Sequence, residues 1–143
     1  MTSARILMPL TVTPAMVVTG TTIAEPDTSR GEVAWLVGTA YTVGQRRTYA
    51  GSVWEAVAPS TGVTPGTDTT KWLRFGPTNR TAAFDEYTTT RSVGTTSITY
   101  VLQPGFFNGL RLDGLEGVQL VATLKDEPGG TVIPQGPGVN VAG

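Results

Sequence analysis

Residues 47–56, Arg47-Thr-Tyr-Ala-Gly-Ser-Val-Trp-Glu-Ala56, place short runs of strand-forming residues on either side of Ala50-Gly51-Ser52. Threonine, tyrosine, valine and tryptophan suit a pleated, half-buried surface. Glycine supplies the positive φ that a tight hairpin turn requires. The stretch therefore predicts two short strands joined at Ala50–Ser52. Outward from it, Thr61-Gly62 and Pro65-Gly66 punctuate a loop that returns to Trp72. Trp35, Tyr41, Tyr49, Trp54, Trp72 and Phe75 are six of the eleven aromatics in the 143 residues, gathered between positions 32 and 76. That concentration predicts a small three-stranded module with its own aromatic core.

The flanks read as β structure too. Ile98, Tyr100 and Leu102 fall on one face of a strand over 97–103, and Val118, Leu120, Ala122 and Leu124 alternate with Gln119, Thr123 and Lys125. Asp126-Glu-Pro-Gly-Gly130 is a turn leading into Thr131-Val-Ile133. Upstream, the runs Ala4–Met8 and Ala15–Thr19 are interrupted by Pro9 and Pro14, as expected of edge strands or an extended arm. No segment carries a capped 3.6-residue period. The expected fold is all-β: an aromatic-rich three-stranded module at 32–76 and an antiparallel β-sandwich-like domain at 77–143. Residues 1–31 form an N-terminal arm and linker, and the Gly/Pro-rich residues from Pro134 form a C-terminal arm.

Composition narrows the chemistry. The chain has no cysteine and no histidine, which removes disulfides, thiolate metal sites and the commonest general base. Charge is sparse and the net value is -1, so no nucleic-acid partner is expected. The run Ile6–Leu10 is too short for a signal peptide, and no stretch nears the roughly 20 apolar residues of a membrane span. We expect a soluble chain with no membrane insertion. Eighteen glycines and ten prolines without disulfides predict a turn-rich domain stabilised by homo-oligomerisation or by docking into a larger assembly.

No catalytic constellation assembles. Asp85-Glu86 and Asp126-Glu127 are the adjacent acidic pairs, and neighbours on a strand point to opposite faces. A glycosidase needs two carboxylates about 5–9 Å apart across a cleft. Gly129-Gly130 makes a turn, no phosphate-cradling loop is present, and Asp68 and Asp113 read as turn residues rather than metal ligands. No cofactor, no metal and no enzymatic activity are expected. The aromatics admit two readings. Exposed Trp and Tyr rings can stack on sugars, which makes Tyr49, Trp54 and Trp72 candidate contacts for glycan or protein. Alternatively Trp35, Tyr41, Trp54 and Trp72 are the core of a 45-residue module, their polar tips at its rim. The second reading is preferred.

The order Ala34-Trp35, Gly38-Thr-Ala-Tyr41, Gly44, Tyr49, Gly51, Trp54-Glu-Ala56, Thr61-Gly62, Pro65 and Trp72 resembles the small chitin-binding modules of bacterial chitinases. In those modules adjacent aromatics after the equivalent of Trp54-Glu-Ala stack on sugar, whereas Glu55-Ala-Val-Ala-Pro59 has none. A wider resemblance runs through PLTVTPAMV (Pro9 to Val17), AEPD (Ala24 to Asp27), the aromatic module and PTNRTAAFD (Pro77 to Asp85). Together these resemble a group of tailed-bacteriophage virion proteins with a chitin-module-like insert and a TNR-x-x-x-FD motif. Thr81 stands where those proteins carry an aromatic.

The resemblance implies a non-enzymatic structural protein located in the virion. Its expected place is the tail, baseplate or fibres, docked to other virion proteins and with host-glycan contact as a further possibility. A capsid decoration (cement) protein bound to the major capsid protein is the first alternative. A free carbohydrate-binding module for chitin-like or cell-wall glycans is the second. Under the leading reading Asn79, Arg80 and Asp85 form an inter-module clamp, Arg80 pairing with Asp85 across the turn after Pro77.

Overall fold

The computed structural model describes residues 10–87, 89–107, 110, 114, 116, 117, 119, 121–127 and 129–133. The fold is all-β. Its elements are β1 (Ala40–Tyr41), β2 (Arg46–Tyr49), β3 (Ser52–Ala56), β4 (Ser60–Thr61) and β5 (Trp72–Pro77), with single 3-10 turns at Pro14–Met16, Thr28–Arg30 and Ala82–Phe84. Residues to Pro104 form one compact unit and those from Gly105 another.

The hairpin forms where its residues predict it. β2 and β3 pair antiparallel from Arg46↔Glu55 to Tyr49↔Ser52, so Ser52 belongs to the strand and the turn is Ala50-Gly51 alone. Both turn residues have positive φ, 49° and 74°. A two-residue turn of that hand matches the twist of the strands it joins. Alanine adopts this conformation at a cost, while glycine does so freely. β3 is the central strand and β5 closes its other side, with Ala56↔Trp72 and Trp54↔Arg74 paired. The register then jumps from Arg74 to Gly76, leaving Phe75 as a bulge. That bulge and Pro77 blunt the outer edge of β5 against further strand pairing.

β1 and β4 make a two-stranded antiparallel sheet through Ala40↔Thr61 and Tyr41↔Ser60. The core lies between the two sheets: Tyr41, Ala56 and Trp72 are buried, with Trp35, Trp54 and Val63 packed around them. The Tyr41 and Trp72 rings meet edge-to-face at 5.2 Å. The outer edge of β2 is covered by residues 33–35, where Thr48 N–H donates to Val33 and Trp35 N–H donates to Thr48.

The Ala15–Thr19 run does find a strand partner. Its backbone runs antiparallel to Thr99–Gln103, with Gln103 N–H on Met16 O (2.8 Å), Val18 N–H on Val101 O (2.9 Å) and Thr22 N–H on Thr99 O (3.0 Å). The Thr21 and Thr22 hydroxyls accept from Val101 and Thr99 N–H, each at 3.0 Å. In the second unit Lys125 bridges Val132, Ile133 N–H reaches Leu124 O, and Gly130 N–H closes the turn on Glu127 O. The alternating positions Val118 and Leu120, the residues Leu112 and Leu115, the N-terminal run Ala4–Met8 and the arm from Pro134 lie outside the described residues.

Candidate functional site

The aromatic candidates separate by burial. Trp72 is 0% exposed and its indole N–H donates to Val63 O at 2.9 Å. It is core and has no surface to offer a ligand, which corrects its place among the contact residues. The loop from Val57 to Lys71 folds back so that Val63 meets the indole, and this return encloses the ring. Trp54 is half-buried, with Nε1–H on Tyr49 O at 3.1 Å. Its ring lies against Gly66, where an added Cβ would come within 3.1 Å of Cη2. Tyr49 stays exposed and packs edge-to-face on Trp35 at 5.5 Å. Tyr41 Oη accepts from Leu36 N–H (2.7 Å) and donates to Leu36 O (3.1 Å), so its polar tip is satisfied within the module. Trp35 Nε1 and Ser60 Oγ are buried without a hydrogen-bond partner, and nothing in the structure accounts for them.

The polar candidates converge at the hairpin turn. Thr78 N–H and Thr81 Oγ1 both donate to Gly51 O, at 3.1 and 2.6 Å. Gly51 N–H donates to Glu25 Oε1 at 2.9 Å. A Cβ at Gly51 would run into the Pro14 ring and approach Thr81 Cγ2 at 3.0 Å. This glycine is thus required twice, by its φ and by the close approach of the N-terminal segment.

Asn79 is 7% exposed and all its groups are engaged. Its side-chain amide donates to Asp27 Oδ2 (2.7 Å) and Val93 O (2.9 Å) and accepts from Val93 N–H (2.8 Å). Its backbone N–H donates to Glu32 Oε1 at 2.7 Å, and its carbonyl accepts from Ser92 Oγ at 2.5 Å. Glu32 Oε2 accepts from Asp27 N–H in turn.

Arg80 sends its guanidinium to backbone carbonyls of the N-terminal segment: Ile23 (2.6 Å), Val17 (3.2 Å) and Val18 (3.3 Å). The Tyr100 hydroxyl is shared between Arg80 O (3.0 Å) and Ser92 Oγ (2.5 Å). The expected Arg80–Asp85 pair does not form, and Asp85 Oδ2 is buried with no hydrogen-bond partner. Three carbonyls on one strand-like segment fit the forked guanidinium, and they hold it away from Asp85. Asn79 and Arg80 come together in the node; Asp85 stands outside its bonds.

Electrostatics follow from these contacts. Glu25 is exposed as a residue, yet its carboxyl end is partly enclosed. That desolvation raises its pKa above the ordinary 4.5, the Gly51 N–H opposing the rise and the Glu32 charge adding to it. The hydrogen bonds from the Ser29 hydroxyl and then Asn79 hold Asp27 below the ordinary 3.8. Burial raises the Tyr100 phenol, against the Ser92 hydrogen bond. Among the described residues no group of three or more Asp and Glu side chains is placed to hold a metal ion. Among them, no helix is long and apolar enough to cross a membrane.

Residue-by-residue reading missed Glu25, Asp27, Glu32, Ser92 and Tyr100. The available signal was the pairing of AEPD with PTNR: Asp27 of the first accepts from Asn79 of the second, while Glu25 accepts from Gly51 at the hairpin turn. Comparison with family models, curated proteins and solved structures yields no match for this chain.

Proposed function

We propose that this chain is a non-enzymatic structural component of a tailed-bacteriophage virion. In this reading it is associated with the tail, baseplate or fibres and docks to other virion proteins. The observation that carries the reading is the meeting of AEPD and TNR in one node. Two motifs far apart in sequence, both belonging to the virion-protein resemblance, make each other's hydrogen bonds through Asp27 and Asn79. The aromatic hairpin supports protein docking over glycan capture, because Trp72 is enclosed and Trp54 lies on Gly66. Exposed Leu36, Val37 and Val43 give the module an apolar rim of the kind that docks on a neighbouring protein.

The test is mass spectrometry and cryo-electron microscopy of purified particles from the phage that encodes the chain. The expected result is stoichiometric copies in the tail region. Copies on the head would move the protein to the decoration class, and absence from particles would end the virion reading.

A further inference from the structure

The strand-like stretch at 97–103, Ser-Ile-Thr-Tyr-Val-Leu-Gln, has two edges. One faces the N-terminal segment, and the odd positions use it. Thr99 and Val101 donate to the Thr22 and Thr21 hydroxyls and accept from Thr22 and Val18 N–H, while Gln103 donates to Met16 O. Pleating turns the even positions the other way. Among the described residues, nothing bonds to the backbone N–H or carbonyl of Ile98, Tyr100 or Leu102. No residue from 97 to 103 is buried. The strand is held from one face: the Tyr100 ring meets Phe84 edge-to-face at 4.8 Å, and its hydroxyl bonds to Arg80 O and Ser92. The open edge is therefore preformed. Other edges in this unit are protected. β5 has its bulge and Pro77, β2 is covered by residues 33–35, and Arg80 takes the Val17 carbonyl on the far side of the N-terminal segment. Residues 97–103 carry no charge and no proline, two of the devices that keep an edge from pairing.

From this edge we infer that two copies of the chain pair antiparallel through residues 97–103, about a two-fold axis at Tyr100. The free groups select that register. Centred on Tyr100, all the outward residues become hydrogen-bonded pairs: Tyr100 with Tyr100 of the second copy, and Ile98 with Leu102 at either end. Every free N–H and carbonyl of Ile98, Tyr100 and Leu102 then finds a partner. The side chains agree with it. Ile98 meets Leu102, Thr99 meets Val101 and Ser97 meets Gln103, so apolar and β-branched residues oppose each other and the polar ends meet. No like charges are brought together. Such a contact is isologous, one patch serving on both sides. A strand of another protein could form a ladder here, but it would have no need of this palindromic spacing. Self-pairing is independent of the virion reading: it is measured on the isolated chain, and its failure leaves the particle test standing.

Sedimentation equilibrium of the full chain over a range of concentrations is expected to show monomer and dimer in exchange. Hydrogen exchange at the amides of Ile98, Tyr100 and Leu102 is expected to slow as concentration rises. The amides of Thr99 and Val101, bonded within the chain, should keep a constant rate. Ile98→Pro removes an outward N–H and leaves the inner bonds in place, and it is expected to weaken the dimer about tenfold or more. Register is read by cross-linking, unambiguous in a chain without cysteine. Under mild oxidation, a mixture of Thr99→Cys and Val101→Cys chains is expected to form a disulfide faster than either variant alone, because those positions oppose each other across the axis. Should Ile98→Pro unfold the chain, the cysteine mixture still decides. A monomer at every concentration overturns the pairing, whether the outward amides are open or are covered by the chain's own Ala4–Met8 run. A dimer untouched in folded Ile98→Pro, or cysteine variants that cross-link no faster mixed than alone, overturns it as well.

Discussion

The Tyr41–Ala56–Trp72 cluster and the Asn79–Arg80 node lie at opposite ends of one hairpin and are held by different physics. At the open end, two aromatic rings meet edge-to-face over a buried alanine, and the main stabilisation is apolar area removed from water. At the turn end, Thr78 is fully buried and Asn79 nearly so, and almost every contact is a hydrogen bond to backbone. The first region is local, built from residues 35–72. The second joins residues 17–32, 51, 78–81 and 92–100. Apolar packing makes the module; directional polar contacts bind the rest of the unit to it. A polar network of this kind tolerates the loss of a member poorly, because each orphaned partner stays desolvated.

The sharpest way to break the first region is Trp72→Ala. Removing a fully enclosed indole is expected to cost about 3–5 kcal/mol, read by urea denaturation. Trp54→Ala, at a half-buried ring, should cost clearly less. Equal costs would erase the distinction between core and surface tryptophan.

Asn79→Ala breaks the second region. It strips hydrogen bonds from Asp27 and from both backbone groups of Val93, and about 2–4 kcal/mol is expected from leaving those groups unpaired. A loss below about 1 kcal/mol would mean that water replaces the amide without penalty.

A smaller effect comes from pH. With its folded pKa raised above 4.5, Glu25 binds more protons folded than unfolded in the interval above that value. Its contribution therefore makes the protein less stable as pH rises through that interval. Asp27 has the opposite sign: its contribution is present above 3.8 and is lost as pH falls through its lowered folded value. Thermal melts should show stability rising as pH falls through the raised Glu25 value toward 4.5, and falling as pH drops from 3.8 through the lowered Asp27 value. Glu25→Gln should flatten the upper limb alone. If the variant's profile is unchanged, the enclosed carboxyl is not the source.

The smallest expected effect is a null coupling. Arg80→Ala should be costly, while a double-mutant cycle with Asp85→Ala should give an interaction within about 0.5 kcal/mol of zero, since the two side chains do not pair. A coupling above about 1 kcal/mol would restore the ion pair.

Sequence carried the hairpin further than the node. Strand-forming residues around Ala50-Gly51 and the crowding of aromatics specified β2, β3 and a local core, because those signals depend on neighbours in the chain. Trp54 and Trp72 could not be told apart, since both sit on strands and the difference is the loop that brings Val63 onto one of them. Arg80 was misassigned for a related reason. Its partners are anonymous carbonyls more than fifty residues away, which leave no trace in side-chain pattern, whereas Asp85 is a visible opposite charge five residues on. Asn79 was legible as a turn and clamp residue, but its bonding was not, because its five hydrogen bonds reach four residues, Asp27, Glu32, Ser92 and Val93, of two other segments.

The node, and not the aromatic core, holds the N-terminal segment to the hairpin, and native-state hydrogen exchange on Arg80→Ala can show this. The amides of Val18, Thr22 and Gly51 are expected to lose protection, while those of Ala56 and Trp72 keep theirs. Equal loss at all five amides, or no loss at Val18 and Thr22, would contradict it.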